Sequence, residues 1–562
     1  MPPPFAKGDR KLFYCLLVTM KLSIGFSWAA GTGVNTSGML LWELLCSKGY
    51  TILGDKEYAS IIKGDNNNFF LYISDLPAVA GGHPFITQKI DHFFPFDEYS
   101  VTKNEKIYTL KKIHKLEKTD TKYKNVYFFW AALKLLGIAR EEWEKLLAKY
   151  FSGDVLATNI ECLAQWYVYF KVSKYDLSKD VGPAKSFMFG NEVIGKWAIA
   201  AGMDFYAAYP MTPASSLIDV IVEHKATTFY QGEDEIACSM AMLGAKFAGK
   251  RAMTGTSGGG FALMTESISF SNMAEIGWVY VLSQRDGPST GTPTYTGQSE
   301  LNFALNASFW DTFPIVVAPS TYEDGYQLIG KVLNRSDQYH HPIITLIDKQ
   351  FSESYLSIDK NTLTAESINR GKLMKAWVDW FKRYEFTDDG VSPVTLPGME
   401  NGEFITTSYE HDEYGATSEE PNNKKLMNDK RFKKLDTFVQ QEFTKDFYGY
   451  DIINPEAKIF FVTFGMNRIV LEEYLRVKNK KSVKYGLIVI KVLQPLDMRL
   501  KEFLDTKVKQ IKKLVFVEMN YSWQLQELIS NKCLLHDKKW NNKISHIRKY
   551  TSYPIFLEDI VI

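Results

Sequence analysis

Cysteine is scarce in this chain of 562 residues. There are five, Cys15, Cys46, Cys162, Cys238 and Cys533, and no two are spaced CxxC. An odd, scattered set excludes a disulfide framework and offers no ligand set for zinc or an iron–sulfur cluster, so it reads as reduced thiols. The nine histidines form no HExxH or HxH pattern, which removes the common metal signatures. An excess of one charge is also missing. Lys+Arg number 66 against 65 Asp+Glu, a formal net charge of +1. Such a balance gives no global attraction to nucleic acid or to an anionic membrane. No apolar run reaches about 18 residues, so no membrane span is expected. Near the N-terminus, Lys7, Arg10 and Lys11 precede an apolar run over 12–20 in the manner of a signal peptide. The run is short and Lys21 interrupts it, so residues 21–26 read better as a first buried strand after an extension over 1–20.

What is present is globular. Hydrophobic residues make up 45% and charged residues 23%, and the high aromatic share of 14% favours large cores or broad interfaces. At roughly 150 residues per domain the length implies three or four domains. Strands are predicted over 21–26, 50–53 and 69–74, with helices over 36–48 and 131–150; the alternation implies a parallel, helix-covered sheet. After a polar break over 174–184, strands are predicted over 204–208, 227–230, 251–254, 278–283, 315–318 and 342–347 with helices between them. Residues 387–447 lose hydrophobic periodicity and read as a connector with little core. From 458 the α/β rhythm resumes. The fold class is therefore α/β, with several doubly wound parallel-sheet domains.

Four segments carry chemistry. Glu235 opens a predicted helix directly after the 227–230 strand, at the sheet edge where α/β proteins place ligands. A first-turn acid serving the helix dipole explains it equally well, and Glu233 and Asp234 leave the choice open. Thr254-Gly255-Thr256-Ser257-Gly258-Gly259-Gly260 joins a strand to a helix, where glycines let backbone approach a ligand. It also matches G-x-S-x-G, so a serine hydrolase using Ser257 stands as an alternative. That reading needs a histidine, and His340, His341, His411, His536 and His546 have no telling context. In Tyr209-Pro210-Met211-Thr212-Pro213-Ala214-Ser215-Ser216 the prolines fix the loop and the serines suit a helix cap. Thr212 is then left for a ligand, unless the whole segment only caps. Arg285, in the loop 283–294, suits bidentate grip of a carboxylate, or a surface pairing with Asp286. All four segments follow strands of one sheet, which favours a single site built from several loops.

YPMTPASS, GEDEIACSMAMLGAKFAGKRAMTGTSGGGFALMTE and SQRDGPSTGTPT resemble the alpha subunit of 2-oxoacid:ferredoxin oxidoreductases, above all the 2-oxoglutarate type. Lys56-Glu57-Tyr58-Ala59-Ser60-Ile61-Ile62-Lys63-Gly64 and Ile73-Ser74-Asp75 resemble the family's gamma domain, here fused ahead of alpha. Gly390-Val391-Ser392-Pro393, Glu410-His411-Asp412-Glu413 and Val517-Glu518-Met519-Asn520 resemble its connector and last domain. The resemblance implies a gamma-like domain over 21–184, a thiamine-diphosphate pyrimidine-binding domain over 185–386, a connector over 387–452 and a transketolase C-terminal-like domain over 453–562. It also implies that Glu235, by its spacing to Gly244, and not Glu233, hydrogen-bonds the aminopyrimidine and so promotes deprotonation of the thiazolium carbon. Thr212 and Arg285 would hold the substrate carboxylate, and Pro210, Thr256, Ser257 and Gly258 would line the cofactor site. Two departures fall in the gamma-like domain. Ala29-Ala30-Gly31-Thr32-Gly33-Val34-Asn35 replaces a glycine-rich turn, and Gly64-Asp65-Asn66-Asn67 stands in place of G-G-H-N. A scaffold role fits that domain better than a ligand site.

No GDG-plus-Asn motif is present to carry Mg2+ and diphosphate. A beta subunit is therefore expected to supply both, together with an Fe4S4 cluster, in a heterotetramer of two alpha and two beta chains with the site between them. The expected reaction is oxidative decarboxylation of 2-oxoglutarate or a related 2-oxo acid with coenzyme A, giving acyl-CoA and CO2 and reducing ferredoxin. The expected location is cytoplasmic, with neither nucleic acid nor membrane as a partner. Besides the hydrolase, the alternative is a non-catalytic scaffold of thiamine-enzyme descent.

Overall fold

The computed structural model describes residues 20–28, 34–58, 67–75, 87–95, 106–107, 124–167, 174–359, 366–374, 380–444, 447, 449–535 and 537–562. The extension over 1–19 and the segments 29–33 and 59–66 lie outside the described residues. Among the described residues the architecture is mixed α/β, built on three sheets.

The central sheet positions the site. Its strands Val279–Gln284 and Ile343–Asp348 are buried at every position, as strands covered on both faces should be. Its order in space is Val492–Gln494, Ile315–Val317, Ile343–Asp348, Val279–Gln284, Ala252–Thr256, Phe205–Ala207, Thr228–Tyr230. Neighbours are parallel except Val492–Gln494, which lies antiparallel to Ile315–Val317. From Phe205–Ala207 the chain moves outward to Thr228–Tyr230, then crosses back to Ala252–Thr256 on the other side. Helices that leave neighbouring strands in opposite directions open a crevice at the carboxyl ends of the strands. The loops carrying Thr212, Glu235, Ser257 and Arg285 all leave from those ends.

The first sheet departs from the parallel expectation. Lys21–Trp28 and Thr51–Glu57 both pair antiparallel with Asn67–Ser74, and only His92–Pro95 and Lys106–Ile107 run parallel. A parallel partner needs a crossover of about a dozen or more residues, and too few separate Glu57 from Asn67. Tyr355–Ile358 and Ser186–Phe189 extend the same sheet antiparallel. The helix expected over 131–150 is two helices, Lys124–Leu135 and Arg140–Tyr150, with Gly137 at φ 73° between them. A left-handed residue ends a helix and is least strained as glycine.

The third sheet orders Tyr450–Ile453, Tyr485–Ile490, Ile459–Thr463, Lys513–Glu518 and Ile544–Arg548, all parallel but the first. The region read as a connector contains the helix Pro421–Glu442, opened by proline in its first turn. Its buried positions are Met427, Lys430, Lys434, Thr437 and Phe438, so two of the five are lysines and the apolar period is lost. Among the described residues no helix is long and apolar enough to cross a membrane.

Candidate active site

Glu235 is the first residue of the helix Glu235–Phe247. The residue before it, Asp234, does the capping: its Oδ1 accepts the Ala237 N–H at 2.7 Å. Glu235 is thereby released from that duty. It is 4% exposed, and its Oε1 is buried with no partner. A buried carboxylate oxygen without a donor is costly and points to a missing group.

The floor beneath it is the glycine turn. Ala252–Thr256 ends, Ser257 is extended, and the short helix Gly258–Leu263 begins. A β-carbon on Gly260 would stand 2.5 Å from Glu235 Oε1 and 2.2 Å from Thr256 Oγ1, so only glycine fits. Gly244 faces open space instead: among the described residues, its own helix backbone aside, nothing lies within 4 Å of a β-carbon built there. Thr256 and Ser257 are fully buried, and Ser257 Oγ has no partner. His341 bonds the Phe313 carbonyl, His411 Nδ1 lies 3.0 Å from the Tyr409 carbonyl and His546 stacks on Trp523. His340 is buried beside Lys246 and Arg383, and His536 lies outside the described residues. Among the described residues, therefore, no histidine is bonded to Ser257 to activate it as a nucleophile.

Arg285 reaches across to the first loop. Its Nη1 donates to the Thr212 carbonyl at 2.8 Å and to Met211 Sδ at 3.4 Å. The pairing with Asp286 is not formed; Asp286 is held by Thr292 Oγ1 at 3.2 Å and by Ser552. Arg285 is 8% exposed, and burial lowers its guanidinium while Glu300 raises it. Thr212 is half-buried and Pro210 exposed at the mouth. The expected serine cap is absent: the helix Ser215–Val222 has no side-chain cap, and Ser216 Oγ instead accepts from Asn191 Nδ2 at 2.9 Å.

Two residues of this neighbourhood escaped the sequence reading. Gln298 is fully buried and donates to Asp348 at 2.9 Å while accepting from Asn467 at 2.8 Å, which ties the last sheet to the central one. Glu300 lies against Gly258, where a β-carbon would come within 2.7 Å of its Oε1. Neither follows a strand directly, so no motif marked them. The outward face of the Glu235 helix is apolar: Ile236 and Met240 are 46% and 42% exposed, in line with the exposed Gly244. Leu263, on the helix after the glycine turn, is 50% exposed.

In the first region, Tyr58 Oη donates to Glu353 at 2.7 Å and Lys56 Nζ to Tyr355 Oη at 2.6 Å. The described part of that motif is thus engaged with the segment that leaves the central sheet. Among the described residues no three His, Cys, Asp or Glu side chains gather to hold a metal.

Residues 196–429, which include the glycine turn, Glu235 and Arg285, match the family model described as pyruvate flavodoxin/ferredoxin oxidoreductase, thiamine diP-bdg. A 2-oxoacid:ferredoxin oxidoreductase subunit alpha from Saccharolobus solfataricus is 28% identical over 91% of this chain and 93% of its own. A 2-oxoglutarate synthase subunit KorA from Methanocaldococcus jannaschii is 31% identical over 59% of this chain and 88% of its own. Among solved structures, the 2-oxoglutarate:ferredoxin oxidoreductase from Magnetococcus marinus, with 2-oxoglutarate, coenzyme A and succinyl-CoA bound, is 25% identical with a TM-score of 0.82, covering 96% of this chain and 98% of that one. The orphaned Glu235 oxygen over bare Gly260 fits a thiamine-diphosphate aminopyrimidine, which offers a ring nitrogen to such a carboxyl. By sequence, by fold and by the thiamine-diphosphate-binding domain that carries this site, the chain belongs to the alpha subunits of the 2-oxoacid:ferredoxin oxidoreductase family, a family of oxidoreductases.

Proposed function

We propose that the chain decarboxylates 2-oxoglutarate or a related 2-oxo acid oxidatively, passing the acyl group to coenzyme A and the electrons to ferredoxin. The observation that carries the reading is the partnerless Glu235 Oε1, buried over Gly260 in the crevice of the central sheet. Thiamine diphosphate, when bound, supplies the nucleophilic carbon that this chemistry needs.

This chain's own residues then have separate tasks. Glu235 holds a proton at Oε1 against the pyrimidine ring. Gly260 keeps the floor low enough for the ring to lie over that carboxyl. Thr256, Ser257 and Gly258 line the edge, with Pro210 at the mouth. Arg285 offers the free part of its guanidinium to the substrate carboxylate, and its bond to the Thr212 carbonyl fixes the fork's direction. Thr212 adds its hydroxyl from the same loop.

Ile236 and Met240 on the Glu235 helix and Leu263 on the helix after the glycine turn are exposed apolar side chains. We assign that apolar face to a beta subunit bringing Mg2+, the diphosphate site and an Fe4S4 cluster, in a tetramer of two alpha and two beta chains. A division into a gamma-like domain over 21–184, a pyrimidine domain over 185–386, a connector over 387–452 and a last domain over 453–562 accompanies this reading, with a cytoplasmic location. Co-expression with a chain carrying GDG and cluster-cysteine motifs provides the test. Coenzyme-A-dependent reduction of ferredoxin by 2-oxoglutarate is expected; a complex that forms yet reduces nothing with any 2-oxo acid overturns the reading.

A further inference from the structure

The loop between the strand Val279–Gln284 and the helix Leu301–Leu305 carries Arg285 at its start, and the end of the chain holds that loop. Ser552 donates its hydroxyl to Asp286 Oδ2, 266 residues away in sequence. The Thr292 hydroxyl lies 3.2 Å from the same oxygen and 3.0 Å from Ser552 Oγ, so the three side chains close on one another. The Asp286 N–H donates to the Tyr295 carbonyl at 3.2 Å, and the Tyr295 ring meets the ring of Tyr553 edge to face at 5.5 Å. Further along the loop, the Gln298 N–H donates to the Met519 carbonyl at 2.9 Å, and Asn520 Nδ2 donates to the Gln298 carbonyl at 3.1 Å.

Ser552 makes its contact from a backbone conformation that serine disfavours. Its φ is 65°, in the left-handed region where a β-carbon crowds the following carbonyl. Such strain persists only where the surroundings fix it, and it gathers at functional sites. A bend that needed only its shape would be served better by glycine. What serine adds here is the hydroxyl on Asp286.

Resting on the proposed function, we infer that Ser552 is a positioning residue for the 2-oxo acid, acting through Asp286 on Arg285. The anchor is held at both ends. At the tip, Arg285 Nη1 donates to the Thr212 carbonyl at 2.8 Å. At the root, the next residue, Asp286, is tied by its N–H to Tyr295 and by its carboxylate to Ser552 and Thr292. A guanidinium held at the tip alone keeps a partner but loses its direction, and a small misplacement of a substrate-orienting group is costly. The end of the chain thereby sets the aim of a side chain that it does not touch.

Ser552→Gly removes the hydroxyl and relieves the left-handed backbone, so it separates positioning from stability. In the complex with the beta subunit, kcat/KM for 2-oxoglutarate is expected to fall about tenfold, while kcat/KM for coenzyme A stays level and the melting temperature of the chain holds or rises. Ser552→Asn accepts the left-handed region and returns a donor, and it is expected to recover most of the loss. Equal kcat/KM for 2-oxoglutarate in Ser552→Gly and wild type overturns the inference. So does an equal fall for both substrates, or a fall that accompanies a lowered melting temperature, since either marks a structural role only. A wild type inactive with every 2-oxo acid instead overturns the functional reading. The contact is then followed in the full chain by amide hydrogen exchange over 286–298. Faster exchange in Ser552→Gly and the wild-type rate in Ser552→Asn are expected; equal rates in all three overturn the inference without reference to activity.

Discussion

Glu235 Oε1 sits 2.5 Å from the point where Gly260 would carry a β-carbon. The two residues come from different strand–helix junctions, after Thr228–Tyr230 and after Ala252–Thr256. The parallel order of the central sheet brings them together across the strand Phe205–Ala207. An acid buried without a donor is kept in place by a residue whose whole contribution is lack of bulk.

Gly260→Ala should therefore act through Glu235. The added methyl meets Glu235 Oε1 and Thr256 Oγ1 together, and neither has room behind it, since both residues are buried. Displacing the carboxyl by about 1 Å should lower kcat about 100-fold. Circular dichroism of the variant should match wild type, because alanine suits a helix better than glycine. Full activity in Gly260→Ala would show that the carboxyl tolerates displacement and is not the proton-holding group.

Glu235→Gln should separate activity from stability. The amide keeps the size of an acid whose Oε1 is buried without a hydrogen-bond donor, so the chain alone should keep its stability or gain up to about 2 kcal/mol. The reconstituted complex should lose exchange of the cofactor's thiazolium proton. Thermal denaturation measures the first and proton exchange the second. A less stable variant with normal exchange would assign Glu235 to structure only.

Six of the seven central strands were legible because short apolar runs such as Val279–Leu282 and Ile315–Val317 stand between helical segments, while Val492–Gln494 was missed; the position of Glu235 and Arg285 just after strands was itself a signal. Three other features were not legible, each for its own reason. The helix Pro421–Glu442 buries Lys430 and Lys434 along its inner face, so no apolar period betrays it. The antiparallel first sheet is a matter of chain spacing between strands and not of strand composition. Glu300 follows neither a strand nor a glycine cluster, and only the folded chain lays it on Gly258. The spacing argument for Glu235 named Gly244, while the glycine that lies against its carboxyl is Gly260.

The lysines of that hidden helix support a further prediction. Lys430 and Lys434 both pair with Glu275, a fully buried acid in left-handed conformation after the helix Thr265–Ala274. Burial works against its charge, yet Lys430, Lys434 and Arg383 hold its carboxyl well below the usual carboxylate range. Arg383 Nη2 also donates to the Glu275 carbonyl at 2.6 Å. Glu275→Gln leaves two buried ammonium groups without a counter-charge, at a cost of about 3–5 kcal/mol. The melting temperature should fall by several degrees, and Lys434→Met in the same chain should restore part of it. A melting temperature within about 1 °C of wild type would mean that the helix contributes little to the core.

Arg285 offers the sharpest test of substrate anchoring. Its Nη1 is committed to the Thr212 carbonyl, 2.8 Å away, so the fork is aimed before any substrate arrives. Lysine at this position keeps the charge but can make neither the fork nor, with one nitrogen, both the Thr212 bond and a bidentate grip. Arg285 itself is only 8% exposed, so bulk water replaces little of what is lost. Loss of a charge-assisted pair of this kind should cost about 2–4 kcal/mol, or about 30- to 1000-fold in kcat/KM. Both Arg285→Lys and Arg285→Ala should show it, the second more strongly. Because the Thr212 loop leans on the same guanidinium, Thr212→Val should add less in the Arg285→Ala background than in wild type, as coupled neighbours do. Steady-state kinetics with the beta subunit present decides the matter. If Arg285→Lys keeps kcat/KM within about threefold of wild type, the carboxylate is held elsewhere, and the bond to Thr212 serves only to close two loops over the crevice.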